Sequence, residues 1–335
     1  MVVEFDATAC VELPPPKRLP PPNVLARLNL VVPCYNEEAV LPDTLPRLVT
    51  LLDQMVDDRK VHPDSEITFI DDGSSDRTWE LIEAANREDP RVKGIKLSRN
   101  RGHQNALLAG LLTAPGDVIV SLDADLQDDL EAIPKMVEAH RAGAEIVYGV
   151  RMRRDVDTRF KRGTARLYYR FLLALGVDVV PDHADFRLMS RRALDALKEF
   201  NEVNLFMRGI VPLLGFNSAT VFYERKARMA GETHYPLNRM IALALDGIMS
   251  FSALPLQIIF PIGVVLSVFA LGMAVWALVV RLTMESAVPG WASIVIPMYF
   301  LGGLQLLGLG VIGGYLARIY AETKRRPRFI IEQHL

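Results

Sequence analysis

Cysteine is nearly missing from this sequence. Only Cys10 and Cys34 occur, which makes no disulfide framework and no CxxC metal pair and fits a reducing compartment. An excess of positive charge is missing too. Lys and Arg number 38 against 40 Asp and Glu, a net charge of −2, so there is no global basic field of the kind that nucleic-acid binders use. No GxGxxG follows the first strand-like run, and no GxxxxGK[ST], HExxH or GxSxG occurs. Dinucleotide, P-loop, zinc-protease and serine-hydrolase readings therefore lose their main support. The first residues carry Glu4 and Asp6 where a signal peptide would be basic, and Leu13–Pro22 is a stiff, polyproline-like leader.

Charge itself is missing from most of the last quarter. Half of the residues are hydrophobic, and Leu256–Val280 and Trp291–Ala317 hold no charged side chain. Each exceeds the roughly 20 residues that span a bilayer, which predicts a membrane hairpin with a short turn near Arg281–Gly290. Basic residues flank it outside, with Arg225, Lys226, Arg228 and Arg239 before and Lys324, Arg325, Arg326 and Arg328 after. The positive-inside rule then puts both ends in the cytoplasm. Gly302-Gly303, Gly308, Gly310 and Gly313-Gly314 would permit close helix packing, as in a homo-oligomer.

What is present in the first half is a β-α-β-α order. Apolar runs at Leu28–Pro33, Glu66–Ile70, Val92–Leu97, Asp117–Leu122 and Glu145–Gly149 read as buried strands. Leu41–Met55, Asp76–Asn86, His103–Leu112 and Asp129–Ala142 read as amphipathic helices. This predicts an α/β fold with a mainly parallel sheet, whose ligands sit at the carboxyl ends of the strands. Those ends are polar. Asp123-Ala124-Asp125-Leu126-Gln127 closes the fourth run, and on an extended chain residues two apart reach the same side. Such hard oxygen donors suit Mg²⁺ or Mn²⁺, whereas Asp128 and Asp129 read equally well as caps of the next helix. Asp71-Asp72-Gly73-Ser74 is either a capped turn or a ligand-binding pair. Tyr35 and Glu37 can flank and accept from a base, although Glu38 is covered by a helix start. His103 and His183 read as solvated or hydrogen-bonded structural histidines. Arg151–Arg170 is strongly basic and reads as a phosphate and membrane-surface patch.

These segments in order (Val32-Pro33-Cys34-Tyr35-Asn36-Glu37-Glu38, Asp71-Asp72-Gly73-Ser74, Ser98-Arg99-Asn100-Arg101-Gly102, Asp123–Asp128, Tyr148-Gly149-Val150-Arg151 and Asp185-Phe186-Arg187-Leu188) resemble the family 2 glycosyltransferases of GT-A, Rossmann-like fold. The closer resemblance is to the polyprenyl-phosphate branch, dolichyl-phosphate mannose synthases and bacterial undecaprenyl-phosphate glucosyl- and aminosugar-transferases. It implies that Pro33, Tyr35, Glu37, Asp71 and Asp72, with Asp123 and Arg208, hold the nucleotide sugar. It implies a metal at Asp123, Asp125 and Gln127, catalytic roles for Asp125, Arg151 and Asp185, and a lipid phosphate met by Arg151, Arg162 and Arg166. Arg101 stands where many relatives have an aromatic residue, and Asp128-Asp129 replaces the commoner Asp-Pro, which leaves donor choice open.

The composition marks residues 1–26 as an arm, and with the resemblance it implies 27–235 as the catalytic domain and 236–255 as a juxtamembrane amphipathic segment. Residues 256–317 would be two transmembrane helices and 318–335 a basic cytoplasmic tail. The expected reaction is inverting transfer from UDP-glucose or a UDP-aminosugar to a polyprenyl phosphate at a bacterial inner membrane. Its cofactor is Mg²⁺ or Mn²⁺, its partners are the nucleotide sugar, the lipid and the membrane, and nucleic acid is not among them. GDP-mannose as donor, and a non-catalytic membrane scaffold, are the alternatives. A phosphate monoester is largely ionised near neutral pH, so it needs no general base.

Overall fold

The computed structural model describes residues 25–151, 183–200, 202 and 207–223, scattered positions from 256 to 272, and 291–335. Residues 1–24 of the expected arm, the basic stretch holding Arg162 and Arg166, and the juxtamembrane segment lie outside these, while Ala26, expected in the arm, is buried in the core. The described residues belong to two compact units, one built on a sheet and the other containing a long apolar helix.

The sheet has eight strands: β1 Leu28–Cys34, β2 Glu66–Asp71, β3 Val92–Leu97, β4 Val118–Ser121, β5 Ile146–Arg151, β6 His183–Ser190, β7 Ser218–Tyr223 and β8 Ile331–His334. Their order across it is β7-β5-β6-β4-β1-β2-β3-β8. The four apolar runs that form β1 to β4 pair in parallel, because helices cross over between them and cover both faces. β6 runs antiparallel to β4 and β5, while β5 and β7 are parallel. The expected mainly parallel sheet is thus present, with an antiparallel strand set beside its centre.

Helices α1 Leu41–Asp57, α2 Thr78–Glu88, α3 His103–Thr113, α4 Ala132–Arg141, α5 Arg191–Lys198 and α6 Met207–Leu213 complete this unit. In α1 the buried residues Leu41, Thr44, Leu48, Leu51, Leu52 and Met55 recur at helical spacing, the stripe that packs a helix on a sheet. Leu30, Val32, Phe69, Val118, Val120, Ile133 and Met136 share one core with it. Cys34 is buried at the end of β1, and burial pushes its thiol well above the usual range.

Two features depart from the sequence reading. α4 begins at Ala132, so Asp128 and Asp129 do not cap it. Asp128 is buried and accepts the Tyr223 hydroxyl, because the loop after β4 turns inward before the helix starts. The stretch expected as a tail contains β8, which pairs antiparallel with β3. The Ile330 carbonyl accepts from the Ser98 N–H, and the Leu335 N–H donates to the Gly94 carbonyl, each at 2.9 Å.

In the other unit, α7 runs from Trp291 to Thr323. Its stretch Phe300–Thr323 is long and apolar enough to cross a membrane. Leu306, Leu309, Leu316 and Ile319 all point outward. Among the described residues α7 is the one helix of that kind, and Leu256–Val280, the other expected span, has only scattered described positions.

Candidate active site at the strand ends

The carboxyl ends of β1, β2 and β4, and the amino end of the antiparallel β6, carry the polar groups singled out in the sequence. At the β1 and β2 ends two loops lock together. Asn36, at φ +54°, donates its N–H to Ser74 Oγ at 2.9 Å and accepts the Ser75 N–H at 2.9 Å. The Glu38 N–H donates to Asp76 Oδ2, and Glu38 Oε2 accepts the Arg77 N–H, both at 3.1 Å. Pro33 is buried beneath this rim, Glu37 is half-buried, and Tyr35 is 48% exposed above it. Asp71 is enclosed: Oδ1 accepts the Ser74 N–H at 3.2 Å, and Oδ2 has no hydrogen-bond partner. Burial pushes its carboxyl above the usual range.

Asp72 works inward as well. Its oxygens accept the N–H groups of Arg101 and Gly102 at 2.7 and 2.8 Å, fastening the loop that leads into α3. Burial raises its carboxyl, and those two donors oppose the rise. Gly73 makes the approach of the two loops possible. It has φ +67°, and a Cβ there would stand 2.6 Å from the Arg99 carbonyl carbon. Gly73→Ala strains both the dihedral and the contact. It is expected to cost about 1–3 kcal/mol, measurable as a lower Tm together with weaker nucleotide-sugar binding in a titration.

The Asp123–Gln127 loop is not the extended segment that the two-residue spacing assumed. It is a turn with Leu126 at φ +45°, closed by the Leu126 N–H on the Asp123 carbonyl and tied to α1 by Thr44 Oγ1 donating to the Ala124 carbonyl at 2.7 Å. The turn still joins Asp125 and Gln127, whose amide donates to Asp125 Oδ2 at 2.7 Å. Asp123 also approaches a third element: its Oδ1 lies 3.7 Å from His103 Nε2, and Asp185 Oδ2 lies 3.8 Å from that same nitrogen. Burial raises the Asp123 carboxyl, with Asp128, Asp185 and Asp125 adding to the rise and His103 opposing it. Among the described residues no three His, Cys, Asp or Glu side chains group as a full metal cage.

Asp185 sits in the densest charge arrangement here. Arg187, wholly buried, donates to its Oδ1 at 2.6 Å, and Arg208 donates to its Oδ2 at 3.3 Å. Burial alone would raise the Asp185 carboxyl, but Arg187, Arg208 and His103 together hold it below the usual range. Arg187 was not singled out as a site residue in the sequence, and His103 was read there as structural. Arg151 ends β5 opposite Tyr223 of β7.

The profile of glycosyl transferase family 2 matches residues 29–198, the stretch that carries all these strand ends but those of β7 and β8. The chain belongs to glycosyl transferase family 2. Similar glycosyltransferases include the uncharacterized glycosyltransferase YkoT of Bacillus subtilis (strain 168), 46% identical over 91% of both chains. The prophage bactoprenol glucosyl transferase homolog of Escherichia coli (strain K12) is 39% identical over 92% of this chain and 99% of its own. The bactoprenol glucosyl transferase of Shigella phage SfV is 37% identical over 91% and 98%. Within this glycosyltransferase the structure therefore brings together Asp123, Asp185 and Arg208 at one end of the sheet, and Asp125 with Gln127 beside them.

Proposed function

We propose that this glycosyltransferase transfers glucose from UDP-glucose to the phosphate of a polyprenyl lipid at a bacterial inner membrane. The observation that carries the reading is the likeness, along nearly the whole chain, to proteins named bactoprenol glucosyl transferase. In the reaction an acceptor phosphate oxygen bonds to the anomeric carbon. The bond from that carbon to the β-phosphate oxygen breaks with inversion, and the nucleoside diphosphate leaves with the bonding pair. No proton need be removed from an ionised phosphate.

The chain's residues divide the rest of the work. Tyr35 and Glu37 flank the base, with Asp71 enclosed behind them at the end of β2. Asp123, Asp125 and the Gln127 carbonyl oxygen would hold Mg²⁺ or Mn²⁺. The donor set fits, because burial and neighbouring carboxylates make an ionised Asp123 costly, a cost that a cation offsets. Two carboxylates and an amide are also the partial shell that Mg²⁺ completes with substrate phosphates and water. Such an ion, when bound, neutralises charge on the departing diphosphate. Arg208 stands beside the same cleft as a second counter-charge. Arg151, with Arg162 and Arg166, meets the lipid phosphate.

Membrane attachment fits an acceptor that stays in the bilayer. We place two crossings in the chain, α7 and Leu256–Val280, with the sheet unit in the cytoplasm. Incubating membranes with labelled nucleotide sugars, undecaprenyl phosphate and Mn²⁺, then extracting lipid, tests the whole reading. Label from UDP-glucose in the lipid fraction is the expected result, whereas label from GDP-mannose alone would replace the donor assignment. Arg151→Glu is expected to cut lipid labelling by about 10²–10³-fold while leaving UDP binding unchanged; normal labelling would remove Arg151 from the acceptor site.

A further inference from the structure

His103 is the first residue of α3, and the two residues before it are held in place by Asp72. Both oxygens of Asp72 hold the Arg101 and Gly102 N–H groups, and Gly102 turns the chain at φ +86°. The next residue is pinned as well, since Gln104 Oε1 accepts the Met207 N–H at the start of α6, 3.4 Å away. Between these anchors the imidazole projects half-exposed, with Nε2 nearly equidistant from Asp123 Oδ1 and Asp185 Oδ2. Asp123 opens the turn after β4 and Asp185 lies in β6, so the ring stands between two segments from a third element. Asp185 has two arginines of its own, so it can spare this contact more readily than Asp123 can.

We propose that His103 is a positioning residue, whose Nε2 edge stands within 4 Å of both Asp185 and Asp123 and holds the Asp123 carboxylate in the orientation that receives the divalent cation. The inference rests on the reading of Asp123 as a donor-side metal ligand. A group that orients a ligating carboxylate acts through geometry, and loss of such outer partners weakens metal binding without touching the metal.

The test is a Mn²⁺ titration of the full-length protein in detergent with UDP present, following free Mn²⁺ by electron paramagnetic resonance. His103→Ala and His103→Leu are expected to weaken Mn²⁺ binding by roughly 10–100-fold, and His103→Gln, which keeps an N–H donor, by only a few-fold. Melting temperatures should stay at the parent value. Leu fills much of the volume of the imidazole, so the Gln and Leu pair decides the matter should the alanine variant fail to fold. Parent-like affinity in the alanine and leucine variants, equal losses in Gln and Leu, or no Mn²⁺ binding by the parent would each overturn the proposal. The lipid takes no part in this titration. Absent lipid labelling beside His103-dependent Mn²⁺ binding would sink the acceptor assignment alone.

Discussion

Asp185→Asn is expected to unfold the sheet unit at a temperature about 10 °C lower, from a loss of about 3–5 kcal/mol. Arg187 has no exposed surface, and Asp185 is its charged partner at 2.6 Å. Removing the carboxylate strands a buried guanidinium, which costs far more than the pair itself contributes. Arg187→Met should cost less, because Asp185 keeps Arg208 and some exposure. The double variant should regain most of the stability lost in Asp185→Asn, a coupling that a thermal or urea double-mutant cycle reads directly. Its glycosyl transfer should stay low, which separates the structural share of Asp185 from the catalytic one. The sign with pH follows from the lowered carboxyl. The stability that Asp185 supplies is complete above the ordinary carboxylate pKa and is lost as the pH falls through its lower folded value. Additive single-variant losses would show that the pair is not coupled.

Asp123→Asn is expected to behave in the opposite way, with transfer falling by about 10²–10³-fold while the melting temperature without added metal rises. The carboxyl is raised by burial and by three neighbouring carboxylates, with His103 opposing the rise, so its ionised form carries a small cost, tempered by a half-exposed side chain, that an amide relieves. Added Mn²⁺ should stabilise the parent and do little for the variant, since only binding to the folded state shifts the melt. Asp125→Asn should lose transfer comparably, about 10²–10³-fold, without the gain in stability, because the Gln127 amide donates to Asp125. A stable, fully active Asp123→Asn protein would end the metal-ligand assignment.

The strands that pack on both faces were legible in the sequence almost to the residue. β1 to β4 are apolar runs, and the expected Leu28–Pro33 became Leu28–Cys34 because buried parallel strands carry a signal independent of their neighbours. β7 was missed, although Ser218–Tyr223 alternates in exposure along an edge, a weaker pattern than a solid run. β8 is harder still, with Ile331 followed by Glu332, Gln333 and His334. Nothing local marks such a segment as a strand, and only the open edge of β3 does. In the site, the carboxylates at strand ends were readable because their place follows from topology. The bridge at His103 was not, since it depends on how far β4, β6 and the start of α3 stand apart, a tertiary distance that no spacing encodes. Asp72 shows the same limit, for its two backbone partners lie 29 and 30 residues away.

The pairing of β8 with β3 also bears on counting. Tyr223 at the end of β7 and Ile331 at the start of β8 belong to one sheet, and backbone hydrogen bonds cannot be made through a bilayer. Any path between those residues must therefore enter and leave the membrane an even number of times. If α7 crosses, as proposed above, the intervening chain must cross an odd number of further times, and the proposed span Leu256–Val280 has the length to do so once. A reporter enzyme inserted after Thr323 should then report the same side as one inserted after Gly215.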